Sequence, residues 1–104
     1  MDWNTTQSKQ LIQAFLALET PSEVQRFLRD LMTQSELMEF AKRLETARLL
    51  CAHESYPAIQ KATGFSTTTI ARVSKWLQEG TGGYGLILPR LHHHTPPSGG
   101  RGLR

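Results

Sequence analysis

The chain has 104 residues, room for one small domain and little more. With 38% apolar and 20% charged residues, 12 Lys+Arg against 9 Asp+Glu, and a single cysteine, it reads as a soluble protein of a reducing cytoplasm with no internal disulfide. Its longest apolar stretch, Leu11 to Leu18, is short and broken by Gln13, and no secretory pattern follows Met1-Asp2, so neither a bilayer span nor a signal peptide is expected.

In chain order, Leu11, Ile12, Phe15, Leu16 and Leu18 recur at helical spacing and predict a first helix over about residues 4–19. Thr20-Pro21-Ser22-Glu23 then reads as a capping box, with Pro21 at the first helical position and Val24, Phe27, Leu28 and Leu31 as the next apolar stripe. Thr33-Gln34-Ser35-Glu36 repeats the box and opens a third helix to about Ala52, with Leu37, Phe40, Ala41, Leu44, Ala47 and Cys51 expected inward. Ser55 caps a two-turn helix, Tyr56 to Thr63, that stops at Gly64, and Ser66 caps another from Thr67 to about Glu79 that stops at Gly80. Tyr84 to His93 predicts a last short helix despite Pro89. No stretch alternates with period two, so the fold class is all-α, a helical bundle. Residues 1–94 form its single domain, and the basic tail at 95–104 has nothing to bury and is expected to be disordered.

Charge is uneven along this plan. Residues 1–54 carry a balance of −2 and residues 55–104 a balance of +5, with Glu79 the one acid of the second half. A half so poor in acid suits a polyanion, because its lysines and arginines can displace counterions from phosphate. A solvated face with a basic tail is the plainer alternative.

The informative segment lies at about 55–79. Ile59 precedes Gly64 by five residues, Phe65 follows it directly, and Ile70 and Val73 come six and nine residues after it. That spacing clamps two helices at a steep angle, as in a helix-turn-helix, with glycine where the backbone turns left-handed. An ordinary helical hairpin with a structural glycine shares the spacing. With Ile70, Val73 and Leu77 inward, the second helix points Thr67, Thr68, Ala71, Arg72 and Lys75 outward, and such a helix fits a major groove. Thr67, Thr68 and Thr69 are expected to face bases and Arg72 a base or the backbone. Gln60, Lys61, Ser66 and Lys75 are expected to hold phosphate.

The Arg43-Leu-Glu-Thr-Ala-Arg-Leu-Leu segment, the helix-turn-helix after it, and Thr69-Ile-Ala-Arg-Val resemble the tryptophan repressor superfamily, and Ile70-Ala-Arg-Val with Gly82-Gly83-Tyr84 resembles its YerC/YecD-like branch. The resemblance spans about residues 10–91. It implies an intertwined all-helical homodimer that binds double-stranded DNA and represses transcription, with reading heads about 34 Å apart on the duplex. Three broad apolar stripes in so short a chain point to a dimer independently. In tryptophan repressors the ligand lies between two arginines, which the resemblance matches to Arg43 and Arg72. Where those proteins have a space-making glycine and a later serine, this chain has Val73 and Trp76. No cofactor is therefore expected, and L-tryptophan is disfavoured. On the residues alone, Arg43 could instead pair with Glu39 or Glu45, and Trp76 could be a core or dimer-interface aromatic.

No catalytic residues are assigned, since no nucleophile–base set is spaced for it. Cys51 and His53 are too few for zinc, with Cys51 read as a core residue, and His92-His93-His94 adds charge at mildly acid pH. No metal site is expected. Two rival functions remain open: a sequence-indifferent nucleic-acid binder driven by the basic tail, and a helical protein-interaction dimer.

Overall fold

The computed structural model describes residues 1–94, with side chains to residue 91; the tail at 95–104 and the side chains of His92–His94 lie outside the described residues. Six helices follow one another: α1 (Thr6–Leu16), α2 (Pro21–Leu31), α3 (Gln34–Cys51), α4 (Tyr56–Thr63), α5 (Thr67–Glu79) and α6 (Gly83–His94). Among the described residues there is no strand, and the all-α expectation holds.

The helices begin where hydroxyl side chains can hold free N–H groups. Thr5 Oγ1 accepts from the Ser8 N–H, Thr20 Oγ1 from Glu23, Ser55 Oγ from Ala58, and Ser66 Oγ from Thr69, at 3.1–3.2 Å. The box at Thr33 is reciprocal: the Glu36 N–H donates to Thr33 Oγ1 (3.1 Å) and the Thr33 N–H to Glu36 Oε1 (2.9 Å). At the second helix the return bond is displaced by one residue, because the N–H of Glu19, not of Thr20, reaches Glu23 Oε1. α3 ends without glycine. His53 takes a left-handed φ of 61°, and the N–H groups of His53 and Glu54 close back on the Leu50 and Leu49 carbonyls, a Schellman arrangement.

The chain forms two compact units, the second beginning at Glu39. In the first, the rings of Phe15 and Phe27 meet edge to face at 5.6 Å and join α1 to α2. In the second, Ala47, Ile59, Ile70 and Val73 are fully buried. Thr46 is fully buried too, its hydroxyl satisfied by the Lys42 carbonyl at 2.8 Å.

Several expected core positions are open. Leu11, Ile12, Phe15 and Leu16 of α1 are exposed, Leu16 at 71%. On α3, Phe40, Ala41 and Cys51 are exposed as well, so Cys51 is not a core cysteine. The periodicity correctly marks an apolar face, but within a single chain that face lacks full cover. Pro89 sits inside α6 as anticipated, its missing N–H leaving the Gly85 carbonyl without the usual helical donor.

Two carboxylates titrate below their ordinary value of 4.5. Glu36 is lowered first by the Thr33 backbone bond and then by the Thr33 side chain, and Glu45 chiefly by its hydrogen bonds from Arg48. A depressed folded pKa contributes stability that is present above the unfolded value and is lost as pH falls through the folded one. Thermal melts should therefore show a falling Tm on acidification below about pH 4.5. Glu36→Gln should flatten that slope while lowering Tm slightly at neutral pH.

Candidate nucleic-acid interface

α4 and α5 are joined by a short turn held by local hydrogen bonds. Gly64 adopts φ 76°, and its N–H closes α4 on the Gln60 carbonyl at 2.8 Å. An added Cβ would meet nothing within 4 Å there, so glycine is needed for the left-handed backbone and not for space. Thr63, only 6% exposed, donates its hydroxyl proton to the Ile59 carbonyl (2.8 Å) and accepts from the Phe65 N–H (3.2 Å). A polar residue at this inward position looks out of place in sequence, yet its single oxygen ties α4 to the first residue past the glycine. Behind the turn, Ile59, Ile70 and Val73 interlock, fully buried.

That packing decides what α5 shows. Thr67, Thr68, Ala71, Arg72 and Lys75 are exposed, as are Ser66 before the helix and Lys61 on α4. Thr68, Arg72 and Lys75 fall at i, i+4 and i+7 and share one stripe. Arg72, Lys75 and Lys61 have no ion-pair partner among the described residues, where the recorded pairs join Arg43 to Glu39 and Arg48 to Glu45. The first turn of α5 contains no acid, so its positive end is not countered by its own residues. Two of the expected contact residues are partly committed elsewhere. Thr69 is half-buried, with its hydroxyl 3.1 Å from Ser66 Oγ, and Gln60 is half-buried beside the turn.

Arg43 does not pair with Glu45, whose carboxylate is held by Arg48 at 2.8 Å. Its Nε lies 3.4 Å from Glu39 Oε2, and its guanidinium carbon lies 5.5 Å from the Phe40 ring centroid and 5.4 Å from that of Trp76. Trp76 is 44% exposed and so is not a core aromatic of the chain. An apolar cavity of about 480 Å³ opens beside it, lined by Leu44, Gly80, Tyr84 and Ile87 among others. Neither Arg43 nor Arg72 lines that cavity. Among the described residues, no cluster of three or more His, Cys, Asp or Glu side chains could hold a metal ion, and no helix is long and apolar enough to cross a membrane.

The family model for the Trp repressor protein matches residues 6–92 of this chain. The chain belongs to the Trp repressor family. Within that family it is 40% identical over 82 residues to the uncharacterized protein YerC of Bacillus subtilis (strain 168), covering 79% of each chain, which places it in the YerC-like branch. It is also similar to the crystal structure of a TrpR-like protein from Eubacterium eligens, with a TM-score of 0.83 and 37% identity over 86% of this chain and 93% of that one. A candidate Trp repressor from Staphylococcus aureus superposes with a TM-score of 0.82 at 32% identity, covering 92% and 99%. The α4–α5 pair is thus the helix-turn-helix of a Trp repressor family member, a family of DNA-binding regulators.

Proposed function

We propose that this protein is a sequence-specific, double-stranded-DNA-binding transcriptional repressor. In this reading it works in the cytoplasm, at the nucleoid, as a helix-turn-helix homodimer without L-tryptophan as co-repressor and without catalytic activity. The observation that carries the reading is the outer face of α5: Thr67, Thr68, Arg72 and Lys75 exposed, the two cations without an ion-pair partner among the described residues, on a helix that follows the Gly64 turn. Thr67 and Thr68 approach base edges and Arg72 a guanine or the backbone. Lys61, Ser66 and Lys75 hold phosphates that set the register, with Gln60 and Thr69 at the margin of the contact. The apolar side chains left open on α1, α3 and α6, among them Leu16, Phe40 and Leu86, support burial against a second copy, which would present two heads to successive major grooves.

Two features argue against tryptophan as effector. Val73 is fully buried beside Arg72, and Arg43, one of the two arginines matched to the ligand site, is already stacked on Trp76. Titration calorimetry with L-tryptophan should give no saturable micromolar heat.

The deciding experiment is selection of bound fragments from sheared genomic DNA at about 50 and 200 mM salt, a range over which phosphate contacts weaken steeply. A palindromic motif that survives the higher salt, with half-sites near one helical turn apart, is the expected result. Enrichment without a motif, lost at the higher salt and abolished by truncation at residue 94, would replace this reading with a sequence-indifferent binder.

A further inference from the structure

Two adjacent cations of α3 reach the reading helix at opposite ends. Lys42 Nζ lies 6.0 Å from the ring centroid of Phe65, just before the Ser66 cap, while the Arg43 guanidinium lies 5.4 Å from the ring of Trp76 in the later part of α5. Arg43 is itself steadied from α3, by the Phe40 ring at 5.5 Å and by Glu39 at 3.4 Å. Phe65 lies just before α5, and Trp76 sits roughly 14 Å along that helix from its first residue, Thr67. A single contact would let α5 swing about it; two contacts spaced this far apart set its direction on α3.

We infer that these cation–ring pairs form a ligand-free clasp that holds α5 in its DNA-reading orientation, with Arg43 and Trp76 acting as positioning residues. The inference rests on the DNA-binding reading above and adds how that activity is governed: every atom of the clasp belongs to the chain, so the bias toward the reading orientation needs no ligand. Neither residue needs to touch DNA. A half-exposed cation–ring contact sustains about 2- to 5-fold in an equilibrium, and a dimer that needs both heads compounds this to about 5- to 30-fold.

The test uses the full chain carrying Trp3→Phe, which leaves Trp76 as the sole indole. Arg43→Met, Trp76→Ala and Trp76→Phe are compared by affinity for the genomic fragment recovered in the selection, at two salt concentrations. Expected is a loss of about 5- to 30-fold in Arg43→Met and Trp76→Ala with an unchanged salt slope, because no phosphate contact is removed. Trp76→Phe should stay near the parent, and millimolar indole should restore Trp76→Ala. Parental affinity in both Arg43→Met and Trp76→Ala, or a loss that neither phenylalanine nor indole repairs, overturns the clasp. If the parent binds no DNA, the function reading fails, and the clasp is then judged by the time-resolved anisotropy of Trp76. Arg43→Met should free that ring; an unchanged decay overturns the clasp on its own.

Discussion

Arg72→Ala combined with Lys75→Ala is expected to weaken binding to the selected operator by at least about a hundredfold. An arginine at a base edge contributes about 1–3 kcal/mol and a phosphate lysine somewhat less, and a dimer loses both contributions twice. The salt dependence should change with it, the slope falling by about one for each lysine–phosphate contact removed. Neither side chain is buried, and neither is ion-paired among the described residues, so Tm should hold. Arg26→Ala with Arg29→Ala removes the same charge from the exposed surface of α2 and serves as the control. If net charge alone governed binding, the two double variants would lose affinity equally. Anisotropy titrations with labelled operator separate these outcomes.

Ile70→Ala should damage stability heavily, costing about 2–5 kcal/mol. Ile70 is fully buried and shares the small core of the second unit with Ala47, Ile59 and Val73. Few other fully buried apolar side chains are available to close around the hole. Against a total stability of about 5–15 kcal/mol, such a loss lowers Tm by at least about 10 °C for a chain of this size. Ile70→Val, which removes one methylene, should cost about 1 kcal/mol. Leu77→Ala on the same helix should cost less than Ile70→Ala because Leu77 is only half-buried. Thermal melts monitored by circular dichroism give all three values.

The reading head was largely legible in sequence because its signals are local. Ser55, Gly64 and Ser66 are residues whose side chain, or lack of one, acts on neighbouring backbone, and the bounds of α4 and α5 follow from them. The apolar stripes of α1 and α3 were legible only as faces. Spacing orients Leu16, Phe40 and Cys51 along a helix but does not say whether the surface that covers them belongs to the same chain. Thr46 was missed for the opposite reason: its hydroxyl folds back on the Lys42 carbonyl, which lets a polar residue enter the core. Arg43 had two candidate carboxylates, Glu39 and Glu45, and the placement of Arg48 on Glu45 and of Trp76 across from α3 decides between them. His53, weighed in sequence as half of a metal pair, is instead a left-handed helix terminator, and a non-glycine in that role leaves little sequence signal.

The bonds that shape the turn all close over short loops: Ser55 to Ala58, Ile59 to Thr63, Gln60 to Gly64, Thr63 to Phe65 and Ser66 to Thr69. Closing loops so small costs little chain entropy and proceeds on the sub-microsecond to microsecond scale. A head that frays is therefore rebuilt from its own residues long before any second chain could arrive, an encounter whose rate scales with concentration. The angle between the two helices is set first by some fifteen consecutive residues.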